Sequence, residues 1–213
     1  MLPSISGTHI CEKRKLEQLL QKVSEGATLY ISTDNAVISG FKEIVGLKVI
    51  DSFEAQIKGI LNVAGKSLPY MKSRNILLET RQAEVLLYDS ENNPMLAVNK
   101  YGKGKIIYLN FSLENYLVDV HEAFDKGYEK LYELIFKEVL DKRIIRIDSD
   151  GVVYTIHKKD NGIIVVALNY SEKEQPLLLK LQSEYIITNC LYGETDKIKA
   201  WDGCVLFLTK TKN

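Results

Sequence analysis

Apolar and polar positions recur along this chain in two rhythms, and the change from one to the other divides it. Between positions 12 and 25, Leu16, Leu19, Leu20 and Val23 fall at i, i+3, i+4 and i+7, which predicts a helix with one apolar stripe. Gly26 follows where a helix end favours glycine. The short β-rich run Thr28–Ser32 fits a buried parallel strand. Gly40–Gly46 reads as one helical turn and Leu47–Ile50 as a strand. Residues 51–75 contain Gly59, Gly65 and Pro69 and read as an irregular excursion. Strands are expected at Glu84–Asp89, Met95–Tyr101 and Lys105–Phe111, with a turn at Ser90–Pro94. Val120, Phe124, Tyr128, Leu131, Ile135 and Val139 then predict one helix over 117–140. Gly127 inside it would cost about 1 kcal/mol against alanine and would mark a close packing contact.

After Lys142 the helical period disappears. Ile144–Asp148, Val152–Lys158, Ile163–Asn169, Leu177–Leu181, Tyr185–Tyr192 and Val205–Thr209 read as strands. Asp150-Gly151, Asn161-Gly162, Gly193 and Asp202-Gly203 separate them, and Asn161-Gly162 is a two-residue hairpin signal. The expected organisation is an α/β domain over 1–142 and a small antiparallel β-sandwich domain over 143–213. A β domain of that size has little core, so it is expected to dock on a neighbour and to be marginal alone.

Composition narrows the function classes. Among 213 residues, 28 Lys and Arg balance 28 Asp and Glu, which argues against a nucleic-acid partner. Glu12–Lys15 and Lys197–Lys199 are short charge clusters suited to solvated faces. No apolar run reaches the ~18–20 residues of a membrane helix, so no membrane partner is expected. The start, MLPSISGTHI, lacks a signal-peptide layout, and Leu2-Pro3-Ser4 reads as the end of a strand begun upstream. Three cysteines without C-x-x-C spacing suggest free thiols in a reducing cytoplasm. Whether Cys190 and Cys204 face each other on neighbouring strands stays open.

Tyr101-Gly-Lys-Gly-Lys105 places two glycines and three lysines (counting Lys100) between apolar runs. A phosphate loop leads from a strand into a helix, whereas here strands flank the glycines on both sides. A hairpin turn with positive φ at Gly102 and Gly104 and solvated lysines is the favoured reading. Gly65-Lys66-Ser67 fails as a phosphate loop because position 60 is Ile60 and Leu68-Pro69 follows. Ser32 and Thr33 end a strand where a nucleophile would sit, but no glycines flank them. His9, His121 and His157 share no metal-ligand spacing, so no metal and no cofactor is expected. Glu43, Asp51 and Glu54 read as ordinary surface acids. Trp201, the one tryptophan, lies in a β-domain turn, where packing against the adjoining domain or stacking on a sugar face are the two readings. Tyr192 is a second stacking candidate.

The order of features carries a resemblance. Leu2-Pro3-Ser4, the amphipathic helix, Glu25–Ser32, Phe41–Gly46 and Asn93–Asn110 with its Tyr-Gly-Lys-Gly-Lys turn resemble the domain after the catalytic barrel in beta-galactosidase-type glycoside hydrolases. That trimerisation domain is similar to class I glutamine amidotransferases and has a flavodoxin-like, three-layer fold. The part after Ile144 resembles the small β domain that ends many of these enzymes. The resemblance implies no catalytic residue here, because the family's catalytic glutamates lie on the barrel and no cysteine stands at Ser32-Thr33. It implies an accessory, assembly-related role in carbohydrate metabolism. The partners would be a catalytic barrel domain or other subunits, including copies of this chain. Two alternatives stay open: a carbohydrate-binding module using Trp201 and Tyr192, and a stand-alone amidotransferase-like hydrolase with Ser32 as nucleophile.

Overall fold

The computed structural model describes residues 4–5, 13–33, 37–123 and 126–211. The chain forms two compact units, Met1–Ile135 and Phe136–Asn213. Strands dominate both.

In the first unit, β1 (Ser4–Ile5) leads to α1 (Lys13–Ser24) and then to β2 (Thr28–Ser32), which pairs in parallel with β1. Leu16 and Val23 are buried, with Leu19 and Leu20 packed on the same cluster, as the stripe predicts. At the helix end the amides of Gly26 and Ala27 donate to the carbonyls of Val23 and Lys22, the paired closure of a Schellman cap. α2 (Phe41–Val45) is the expected single helical turn.

Residues 51–75 are not irregular. They lie in a long antiparallel hairpin, β3 (Leu47–Val63) and β4 (Lys66–Thr80). The residues taken for breakers have places in it. Ala64 and Gly65 form the two-residue turn, both at positive φ. Gly59 leaves room for the Tyr70 ring, which a Cβ would meet at 2.6 Å. Pro69 offers its carbonyl to the Tyr128 hydroxyl.

β5 (Glu84–Tyr88), β6 (Pro94–Tyr101) and β7 (Gly104–Leu109) complete a five-stranded sheet ordered β1-β2-β7-β6-β5. Its β1, β2 and β7 are parallel, whereas β7, β6 and β5 are antiparallel. The sheet is therefore mixed. Asp89 Oδ1 accepts from the Glu91 and Asn93 amides and holds the turn between β5 and β6.

The helix expected over 117–140 is two helices, α3 (Leu113–Val118) and α4 (Glu129–Asp141). Gly127 adopts φ 96°, outside the right-handed helical region, so the chain turns there instead of continuing. Phe124, part of the expected stripe, lies outside the described residues.

In the second unit every strand pairing is antiparallel. Its strands are β8 (Ile145–Ile147), β9 (Val152–Lys159), β10 (Gly162–Asn169), β11 (Gln175–Pro176), β12 (Leu179–Leu181), β13 (Tyr185–Tyr192), β14 (Lys197–Ile198) and β15 (Gly203–Lys210). One sheet runs β13-β15-β10-β9, and β8–β12 and β11–β14 are separate pairs. Ile145 and Ile147 pack with Val165, Leu206 and Leu208, so the β8–β12 pair covers the inner face of the larger sheet. The β9–β10 turn is Asp160-Asn161, one residue earlier than expected, since Lys159 pairs with Gly162. Gly162 is in the strand, and a Cβ there would lie 2.5 Å from the Leu208 carbonyl oxygen.

Candidate functional site

The Tyr101–Lys105 segment is a hairpin turn that closes the end of α1. Tyr101 pairs with Gly104, leaving Gly102 and Lys103 as the turn. The Lys103 amide donates to the Ser24 carbonyl at 3.0 Å, and the Lys105 amide to the Ala27 carbonyl at 3.2 Å. The first satisfies a helix-end carbonyl and the second continues the β2–β7 pairing, so neither is left for an anion cradle. Gly102 has the expected positive φ of 58°. Gly104 does not; it is required because a Cβ would sit 2.0 Å from the Ala27 oxygen.

Ser32 ends β2 with its hydroxyl buried and donating to Glu114 Oε2 at 2.8 Å. Thr33 donates to the Leu109 carbonyl and shares a 2.7 Å hydrogen bond with the Tyr108 hydroxyl. Burial first, then the Glu114 charge, pushes the Tyr30 and Tyr132 phenols up, Tyr132 to about 12. The result is a set of hydroxyls gathered around one carboxylate. His121 is exposed and 3.5 Å from Glu122, and His157 lies 2.9 Å from the Thr155 hydroxyl. His9 and Cys11 lie outside the described residues. Among the described residues no group of three or more His, Cys, Asp or Glu is arranged to hold a metal ion. Glu54 is ion-paired with Arg74 at 3.5 Å.

Tyr192 and Trp201 open onto one groove. Tyr192 is the last residue of β13, and Trp201 sits in the turn leading into β15. β10 and β15 place alternate side chains on opposite faces. Their outward rows supply Val166, Leu168 and Val205 as an apolar floor to a groove of about 350 Å³. Tyr170, just after β10, forms a third aromatic wall that the sequence reading did not single out. Only the strand register brings Tyr170 to the other two rings. Trp201 is 66% exposed, Tyr170 59% and Tyr192 57%, so the rings are open to a ligand.

Polar contacts fix this rim. The Tyr192 hydroxyl donates to Asp202 Oδ1 at 2.9 Å, and the Gly203 amide donates to the same oxygen at 2.8 Å. The Gly203 amide, then the Tyr192 hydroxyl, holds the Asp202 carboxyl below its usual range, and Asp202 in turn raises the Tyr192 phenol. Trp201 has φ 57°, a left-handed conformation that favours glycine or asparagine. Apolar floor, aromatic walls and one anchored carboxylate suit a pyranose ring, whose C–H face stacks on aromatics while its hydroxyls donate to oxygen.

Cys190 and Cys204 are free thiols on the neighbouring strands β13 and β15. Burial, then the nearby Cys190, pushes the Cys204 thiol up to about 11.

No protein-family model matches the chain, and no curated protein matches its sequence. Solved structures do. Gan42B, a GH42 beta-galactosidase from G. stearothermophilus, superposes with a TM-score of 0.62 at 14% identity, over 98% of this chain and 31% of its own. The beta-galactosidase from Bacillus circulans sp. alkalophilus gives a TM-score of 0.62 at 14% identity, over 97% and 31%. The chain has the fold of a region of GH42 beta-galactosidases. A beta-galactosidase from Rahnella sp. R3 agrees, with a TM-score of 0.56 at 15% identity over 99% of this chain. The chain spans 31% of the length of these enzymes. Among the described residues no helix is long and apolar enough to cross a membrane.

Proposed function

We propose that this chain is a non-catalytic accessory region of a glycoside hydrolase, working beside a catalytic barrel domain in carbohydrate metabolism. The observation that carries the reading is the fold match over nearly the whole chain to less than a third of each GH42 beta-galactosidase. The parallel β1–α1–β2 unit beside β7 supports a flavodoxin-like, amidotransferase-related origin for the first domain. We place the domain boundary after Lys142, at the end of α4, because the second apolar cluster begins with Ile144. The first domain would mediate assembly, including contacts between copies of the chain, in the cytoplasm. Ser32, bonded to Glu114, would be structural. The purified chain is expected to hydrolyse none of a panel of nitrophenyl glycosides. Turnover that survives further purification and is lost in a Ser32→Ala variant would refute the reading and favour the amidotransferase-like one.

A second reading, compatible with the first, is carbohydrate binding. The exposed rings of Tyr170, Tyr192 and Trp201 around one groove favour it. Titration with β-galactosides is expected to shift Trp201 fluorescence saturably in the millimolar range. No saturation in the wild type, or equal binding by Trp201→Ala, would remove this reading.

A further inference from the structure

β4 alternates between an inward and an outward row, and Leu68, Tyr70 and Lys72 fall on the inward one. Leu68 and Tyr70 belong in such a row; an amine does not. Lys72 is 5% exposed. A buried ammonium ordinarily pairs with a carboxylate. Here Nζ lies 4.0 Å from the Met95 sulfur, a weak acceptor. Burial lowers the amine's pKa against the raising fields of Asp89 and Glu91. Ser112, just before α3, is similarly enclosed. Its hydroxyl makes no capping bond and, among the described residues, has no hydrogen-bond partner. Both side chains line one cavity of about 420 Å³. Two buried donors without good acceptors in the same cavity call for an acceptor from outside.

We propose that this cavity binds a small hydroxylated monocarboxylate, a sugar acid of the uronate class, with its carboxylate at Lys72 and Ser112. Charge limits the anion to one negative charge. One lysine supplies the positive charge, while Asp89 and Glu91 act on the same amine and Asp119 lines the cavity, so a doubly charged phosphate is disfavoured. Size and lining select the body. The cavity exceeds a bare carboxylate, and its lining combines Tyr116 and Val120 with the amide-bearing Gln56 and Asn115. That combination suits the C–H faces and hydroxyls of a sugar ring. The site lies in the first unit and rests neither on the aromatic groove nor on the accessory reading.

The test is titration of the full-length chain with galacturonate, galactose and inorganic phosphate, followed by the amide resonances of Ser73, Ser112 and Tyr116. Galacturonate is expected to shift them saturably and to bind about tenfold tighter than galactose, the worth of one charge-assisted hydrogen bond. It should also bind tighter than phosphate. Lys72→Met should erase the preference for the acid, and Ser112→Ala should weaken it several-fold. The proposal is overturned if galacturonate causes no saturable shift, if galactose or phosphate binds as well, or if Lys72→Met keeps the preference. Should Lys72→Met fail to fold, the wild-type ranking and Ser112→Ala decide.

Discussion

The two units bury their sheets differently. In β7 of the first, Ile106, Ile107, Tyr108 and Leu109 are all buried, so both faces of the strand are covered. In β10 of the second, burial alternates: Ile163, Val165 and Ala167 are buried, and Ile164 and Val166 only partly so. A two-faced strand needs a continuous apolar run, whereas a one-faced strand needs only every second position. The lesson concerns function as much as fold. The outward row of the second unit lines a groove, while the first unit buries two polar side chains, Lys72 and Ser112, at the edge of a half-open cavity.

The largest expected effect tests how tightly the first unit's layers are locked. Gly104→Ala would drive a Cβ into the Ala27 and Val23 carbonyl oxygens, at 2.0 and 2.3 Å. Backbone atoms cannot yield as a side chain end can, so a loss above ~3 kcal/mol in urea denaturation is expected. A loss below ~1 kcal/mol would mean the hairpin does not sit on α1 as described.

Neighbouring substitutions test the contrast itself. Ile106→Ala and Ile107→Ala should each cost ~2–4 kcal/mol, because both side chains are buried. In β10, Val165→Ala should cost ~2 kcal/mol and Ile164→Ala clearly less than Ile106→Ala. Equal costs for Ile164 and Ile106 would break the comparison.

Trp201→Gly sharpens it further. Glycine accepts φ 57° without the strain tryptophan bears, so stability should hold or rise by ~1 kcal/mol even though a large side chain is lost. A loss above ~2 kcal/mol would show that the ring is a packing element. The smallest effect is chemical. Alkylation near pH 8, mapped by peptide mass, should label Cys190 well before Cys204. Since Cys204 keeps its proton up to about 11 in the folded chain and an unfolded thiol loses it near ~8.5, its contribution to stability is intact below that range and is lost as pH climbs through it. Equal labelling of both thiols at pH 8 would contradict the buried position of Cys204.

Much of the fold was legible because period and burial agree. The α1 stripe, β2 and the inward rows of β10 and β15 follow from apolar spacing alone. The β3–β4 hairpin did not, because its inward row includes Gly59 and Lys72, and Gly65 and Pro69 look like breakers. The α3–α4 break was hidden because the apolar spacing continues through Gly127, whose positive φ no spacing encodes. Of the candidate sites, Tyr192 and Trp201 were readable as aromatics of the β part, but their exposure was not. Tyr170 and Asp202 join them through strand register, and Lys72 and Ser112 come to line one cavity through tertiary packing. Such distant pairings leave no mark in a local pattern.

The central claim, an accessory region serving a glycoside hydrolase, is tested most directly by immunodepletion. An antibody against this 24.2 kDa chain would be used to clear an extract of the source cells, and nitrophenyl glycosidase activity would be measured in the bound and unbound fractions. The account predicts that at least one glycosidase activity leaves the extract with the chain, whether on the same polypeptide or in complex with it. If the chain is removed completely and every glycosidase activity stays in the unbound fraction, the account is wrong.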